Sequence, residues 1–315
     1  MYKSIRYFTV LALFVLLLAC EKEIGFRPKA QIPFLVMNSY LNPDSIIAVS
    51  VSKSISVAAK LTLEIVDDAE VNVYEDEKLL ETLKFDAANH QYRGTGKPSI
   101  GKKYKITVAK NGFLPIDATT VIEPAPKILV FSVIKDPNSG KLIATLRFKD
   151  QEGVANFYRL VVKIESEYME LPQWADKSQN TSSSGWKGKT FYEYRSEVYT
   201  DDPILDWQKN RSTGGLLTDE PENLFLIFND ELIDGKEYSL IFSYYFSGGH
   251  GDKSNKTMVY FQAISKDLYR YLKTISVVAN FGGSPIWEPV QVFSNVNNGG
   301  GILGSYNTEI VSSNF

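Results

Sequence analysis

Val71-Asn72-Val73-Tyr74 alternates apolar and polar residues, runs into the acidic turn Glu75-Asp76-Glu77, and resumes over residues 79–85. Side chains of a strand point alternately to opposite faces, so such a run buries one face and wets the other. Two runs about a short polar turn read as a β-hairpin. Working outward, the same pattern recurs. Phe34-Leu35-Val36-Met37 is followed by the turn Asn42-Pro43-Asp44-Ser45 and by the β-branched run 46–51, and Tyr104-Lys105-Ile106-Thr107-Val108 alternates again. Pro124-Ala125-Pro126 closes this block and is the best linker candidate.

A second block follows with the same grammar. Residues 128–134, 141–148, 157–164, 224–228 and 238–246 are strand-like, with turns at 136–140 and 150–153. Residues 174–188, rich in Ser, Gly, Asn and Lys around Trp174 and Trp186, read as a long loop. Gly101-Lys102-Lys103-Tyr104 in the first block echoes Gly235-Lys236-Glu237-Tyr238 in the second. A Gly can supply the turn, and the following Tyr can pack its ring while its hydroxyl reaches backbone. The one helix signal is late: Ser265 or Asp267 can cap, and Leu268, Tyr269, Tyr271, Leu272 and Ile275 recur at helical spacing over 266–277. Strands at 258–264 and 306–311 flank it, and Gly299-Gly300-Gly301 lets the backbone turn tightly or approach another segment. The expectation is an all-β protein of two Ig-like or transthyretin-like sandwich units, 33–126 and 127–315, with one C-terminal helix.

The first residues have a different character. Lys3 and Arg6 precede a nearly uninterrupted apolar run over 7–18, which ends in Leu17-Leu18-Ala19-Cys20 and then Glu21-Lys22-Glu23. The run has the length of a secretory signal core and falls short of the roughly 20 residues a membrane-spanning helix needs. Leu-x-Ala-Cys resembles the bacterial lipobox, in which a small residue admits the peptidase and the Cys thiol takes a diacylglyceryl group. Residues 1–19 are therefore read as a signal peptide, Cys20 as the lipidated N-terminus and 20–32 as a tether. Cys20 is also the single cysteine of the 315-residue chain, so no thiol remains for a disulfide, a zinc site or a catalytic nucleophile.

Composition narrows the function further. A hydrophobic fraction of 44% with 18 Tyr and 18 Phe is ample for β-rich cores. A net charge of -3 without a basic run gives no sign of a nucleic-acid partner. Only two histidines are present: His90 in a turn and His250 in the glycine-rich Gly248-Gly249-His250-Gly251. Neither is a good platform for a positioned base, and no Gly-x-Ser-x-Gly elbow accompanies them. The acid pairs Asp67-Asp68, Asp201-Asp202, Asp219-Glu220 and Asp230-Glu231 read as solvated turn residues. They do not by themselves supply the separated carboxyls of a glycosidase. The loops at 201–202 and 230–231 offer hard oxygen ligands for calcium, but no EF-hand spacing is present. No metal or cofactor is expected, and the chain is read as a non-enzyme.

The chain also resembles a family of Bacteroidota lipoproteins known as domain of unknown function 4249. The likeness rests on Val36-Met37-Asn38-Ser39-Tyr40-Leu41-Asn42-Pro43, on Val71-Asn72-Val73-Tyr74, and on Phe228-Asn229-Asp230-Glu231-Leu232-Ile233-Asp234-Gly235-Lys236-Glu237-Tyr238. It continues in Ser265-Lys266-Asp267-Leu268-Tyr269-Arg270-Tyr271-Leu272 and in Glu288-Pro289-Val290-Gln291-Val292-Phe293-Ser294-Asn295-Val296 with the glycine run after it. The resemblance implies an outer-membrane accessory lipoprotein beside a TonB-dependent transporter, on an undetermined face of that membrane, and brings no catalytic residues. A surface-anchored hydrolase of glycans or peptides and a structural or adhesive lipoprotein are the alternatives. The interface is expected in the second block, where all four Trp lie, with Trp174, Trp186, Trp287 and Phe293 as candidates. Aromatic faces in loops stack on sugars or anchor protein partners.

Overall fold

In a computed structural model, residues 32–55, 63–170, 186–193, 198–205, 222–246, 252–281 and 291–315 are described, with only the backbone at 167–170, 186–193, 252–254 and 281. Contacts divide the chain into two units. The first, Met1–Pro33 with Ile55–Thr62, lies almost wholly outside the described residues, and the signal peptide, Cys20 and tether fall there. The second, Phe34–Ser54 with Leu63–Phe315, holds every strand and the helix described below.

The strands are β1 (Leu35–Leu41), β2 (Ala48–Lys53), β3 (Glu70–Glu75), β4 (Lys78–Thr82), β5 (Lys84–Asp86), β6 (Gln91–Arg93), β7 (Lys103–Ala109) and β8 (Ile116–Val121). They continue as β9 (Lys127–Lys135), β10 (Leu142–Lys149), β11 (Phe157–Glu170), β12 (Trp186–Glu193), β13 (Ile227–Asn229), β14 (Glu237–Tyr244) and β15 (Asp252–Ile264). Helix α1 (Lys266–Phe281) and β16 (Gly300–Asn314) end the chain. The largest sheet has nine strands in the order β12-β11-β15-β16-β1-β2-β6-β5, with β13 also on β11. A four-stranded sheet, β4-β3-β7-β8, and a three-stranded sheet, β14-β10-β9, complete the fold.

Alternation makes two cores. Leu35, Met37, Val49 and Val51 pack with Val71, Val73, Ile106, Val108, Ile116 and Ala118 in the first. Leu160, Val162, Val259 and Phe261 pack with Leu146, Phe148, Leu240 and Phe242 in the second. The all-β class, with a single helix among the described residues, is therefore as read from sequence. The division at 124–126 falls between β8 and β9, but residues 33–126 do not build the first core alone: Val296 and Leu303 sit in it. The two sandwiches share one sheet, and β16 is where they join. Its first residues pair in parallel with β1, from Val36–Gly300 to Leu41–Ser305. Its later residues pair antiparallel with β15, from Ile264–Tyr306 to Lys256–Asn314.

Several boundaries differ from the sequence reading, each for a local reason. The glycine run is the start of β16, and the last strand is longer than 306–311 because β1 offers it a partner. Gly301 has φ +99°, and a Cβ there would collide with the Met37 carbonyl oxygen. Residues 224–226 are a turn: Leu226 has φ 51°, and the Asn223 amide bonds both the N–H and the C=O of Ile227 at 3.0 and 2.8 Å in place of a ladder. Trp186, expected in a loop, lies in β12 opposite Glu170, and residues 171–185 are outside the described set. Ser265 is the cap of α1, its hydroxyl accepting the Leu268 N–H, and the helix runs one turn past 277. The hairpin turn Asp76-Glu77 has φ of 45° and 67°, the primed geometry that matches strand twist. Lys102 steadies it through an ion pair to Asp76 at 2.7 Å.

Two turns at one end of the second sandwich clasp each other. Asp150, 2% exposed, accepts the Tyr158 hydroxyl on one oxygen and the Gly235 N–H at 2.9 Å on the other. Asp230 accepts the Asn156 N–H at 2.6 Å, and Asp234 accepts that of Gly153 at 2.8 Å. Tyr158 stacks on Phe261 with ring centroids 5.2 Å apart. Burial, then the hydrogen bond and charge of Asp150, push its phenol far above the ordinary tyrosine value.

Gly112 has φ +85° but open space around it, so Gly112→Ala should cost only the left-handed penalty, about 1–2 kcal/mol. Gly301→Ala must also part β1 from β16 and should cost about 3 kcal/mol or more. Urea melts of both variants check this, and equal losses would contradict the reading. Tyr158→Phe leaves a buried Asp150 oxygen without its donor and should cost about 1–3 kcal/mol. Because the folded phenol holds its proton more tightly than the unfolded one, its stabilisation is complete below the unfolded value of 10.0 and declines as pH rises through the raised folded value. Melts from neutral to strongly alkaline pH should therefore show a shallower alkaline loss in Tyr158→Phe than in the parent.

Candidate functional site

The outer edge of β14, away from β10, carries a groove of about 750 Å³, within the range common to ligand sites. Alternation along β14 sends Leu240, Phe242 and Tyr244 into the second core and leaves Ser239, Ile241 and Ser243 on the other face. Ile143 of β10 lies opposite Ser243, and Ile134 of β9 lies opposite Ile143. That face is therefore partly apolar, with Ile241 53% exposed.

Residues 198–205 form one wall. Tyr199 and Ser243 exchange two backbone hydrogen bonds, each 2.7 Å, so the segment adds a single bridge to the edge of β14. The Thr200 hydroxyl donates to the Ile241 carbonyl at 2.8 Å. Asp202 accepts the Ile204 N–H and, at 2.7 Å, the Tyr238 hydroxyl. Burial, followed by that bond and the Asp202 charge, drives the Tyr238 phenol well above its usual value, so it stays a neutral donor. Buried Asn223 ties residue 205 to β13 through the carbonyls of Leu205 and Ile227. The wall is held by directed bonds at four points.

The groups facing the groove are mixed. Tyr199 is about half exposed with the Lys141 ammonium over its ring at 5.0 Å, and Tyr245, which does not line the groove, backs the pair with its ring edge to face on Tyr199 at 6.1 Å. Asp136 is taken up by its own turn, accepting the N–H groups of Asn138 and Ser139 and the Ser139 hydroxyl. Asp201, Glu222, Ser239 and the Tyr199 hydroxyl line the groove without a side-chain hydrogen bond among the described residues.

A separate acidic group lies in the clasped turns. Oxygens of Asp150, Asp230 and Asp234 come within 4.8 Å of one another, the first two residues buried and the third exposed. Hard oxygen donors of this kind suit calcium. Here they are already accepting hydrogen bonds from Tyr158, Gly235, Asn156 and Gly153, which accounts for the cluster as the staple between the turns. The structure thus joins Asp230 to Asp150 and Asp234 rather than to its neighbour Glu231.

The residues singled out in the sequence are scattered. Cys20, Trp174 and Trp287 lie outside the described residues, as does His250, and of Trp186 only the strand position is described. Phe293 is half buried beside α1: its N–H donates to the Thr274 hydroxyl at 3.0 Å, and the Arg270 guanidinium lies over its ring at 4.1 Å. His90 is exposed in a turn with φ 53°. Of the paired acids, Asp68 pairs with Lys110, and Asp201-Asp202 lies in the groove. Lys141, Tyr199 and Ser239 are not legible as site residues in the sequence, since they come from the approach to β10, the strap at 198–205 and β14, and only the fold assembles them. The Asp201-Asp202 pair is the one sequence signal near them.

No curated protein matches the chain. Among solved structures, a protein of Corynebacterium diphtheriae described as membrane-anchored is similar at 9% identity and a TM-score of 0.20, over 75% of this chain. The chain spans 55% of that protein's length, and the likeness is too slight to transfer a fold or a role. A family model matches residues 21–310, nearly all that follows Cys20, and the chain belongs to that family, the domain of unknown function DUF4249.

Proposed function

We propose that this chain is a lipid-anchored binding protein of the bacterial outer membrane, without catalytic activity, that works beside a TonB-dependent transporter. The observation that carries the anchor is Leu17-Leu18-Ala19-Cys20, an apolar run ending in a small residue and the chain's single cysteine, directly ahead of charged residues. At least two acyl chains are needed for stable attachment at about 0.8 kcal/mol per buried CH₂, and a diacylglyceryl cysteine supplies them. No described helix is long and apolar enough to cross a membrane, so the lipid is the means of attachment that the sequence offers. A binding role is supported by the groove over β14, whose described lining has carboxylates, hydroxyls and one ammonium but neither His nor Cys.

Cys20→Ala should abolish incorporation of a fatty-acid analogue and shift the protein from the membrane to an unprocessed or soluble form. Metabolic labelling followed by gel fluorescence checks it, and an undiminished signal would end the claim. From detergent-solubilised membranes the lipidated chain should carry a β-barrel transporter with it. Recovery of the chain alone under mild detergent would remove the transporter from the proposal.

A further inference from the structure

We infer that the groove over β14 binds a neutral oligosaccharide. This names the ligand class for the binding role proposed above and rests on that reading. Charge gives the first argument. Among the described lining residues, Asp136, Asp201, Asp202 and Glu222 face one cation, Lys141, so an anionic ligand would meet net repulsion from them. Placement gives the second. The acidic groups of the described residues that converge as closely as a metal site requires are Asp150, Asp230 and Asp234, and none of them lines this groove. The groove's acceptors are spread along it, which suits a ligand presenting many separate hydroxyl donors rather than one point charge. A ligand ammonium brought to Tyr199 would meet the like charge of Lys141, which lies 5.0 Å from that ring.

The remaining features complete the chemistry. A pyranose ring has apolar C–H faces and a polar rim. Half-exposed Tyr199 and exposed Ile241 offer the apolar contact. Asp201, Glu222, Ser239 and the Tyr199 hydroxyl offer bonding capacity that the described residues leave unused. The wall that carries Tyr199 is fixed by its two bonds to Ser243 and by Asp202, so little ordering is needed on binding.

The test uses the full chain in detergent on an array of neutral glycans covering α- and β-linked hexoses and pentoses, with oligogalacturonate and hexalysine as charged probes. A neutral class should bind and neither charged probe should. Tyr199→Ala and Glu222→Gln should each weaken that binding about tenfold. Both side chains are solvent-facing, and unchanged melting temperatures would show that the fold is intact. If a variant does melt lower, hydrogen exchange on the parent chain decides. The bound glycan should then protect residues 198–205 and 237–244 selectively. Binding of hexalysine in place of glycans, absence of any neutral ligand, or protection confined to other segments would overturn the assignment. These results are separate from those of the anchor and the transporter: glycan binding with no co-purified barrel would spare this inference and sink the accessory role, and the converse holds.

Discussion

The ladder that β16 makes first with β1 and then with β15 is the constraint on which the rest of the structure depends. One strand of 15 residues changes partner at Ser305 and Tyr306, from a parallel neighbour in the first sandwich to an antiparallel one in the second. Ser305 is fully buried there. Its N–H donates to the Ser265 hydroxyl at 3.2 Å, its C=O accepts the Ser265 N–H at 2.9 Å, and its hydroxyl accepts from the Thr120 hydroxyl and donates to the Val121 carbonyl. The cap of α1, the end of β8 and the middle of β16 are thus fixed to one another at a single polar point. Buried polar groups are tolerated at such a place because every one has a partner. Asn307 repeats the device by bonding the Glu123 carbonyl, which holds the linker against the same strand.

Much of the fold is legible in the residues themselves. Alternation in Val71–Tyr74 and Tyr104–Val108 is a local property, because one buried face imposes a period of two whatever lies opposite. The cap at Ser265 and the apolar spacing of α1 are local as well. The partners of β16 are not legible in this way. Its parallel neighbour, β1, is the first strand of the body, and a parallel pair needs a long connection that leaves no local mark. Gly299-Gly300-Gly301 looks like a flexible loop in isolation. It is a strand start because the Leu35 and Met37 carbonyls approach so closely that a Cβ cannot be accommodated at residues 299 and 301. The groove is hidden for the same reason: Lys141, Tyr199 and Ser239 meet only after β10, β14 and the strap at 198–205 are in place.

The division of labour within the body follows from these constraints. Both sandwiches are built around well-filled cores, and the aromatic side of the second is dense, with Phe148, Tyr158, Phe228 and Phe261 in mutual ring contact. The mixed polar surface lies on the opposite face of the three-stranded sheet, carried by strands whose inner residues are locked in that core. A site on rigid strands keeps its geometry without a ligand, as a preorganised site needs. The clasp of Asp150, Asp230 and Asp234 holds the turns at the start of β11 and β14, so it positions the groove's floor without lining it.

The central claim is that β16 makes the two sandwiches one cooperative unit. Native-state hydrogen exchange across a denaturant series tests it most directly, by comparing the slowest amides of β1 and β2 with those of β11 and β15. The account predicts that both sets converge on one opening free energy and lose protection together. Release of the β1–β2 amides in a separate, lower-energy opening, while β11 and β15 stay protected, would contradict it.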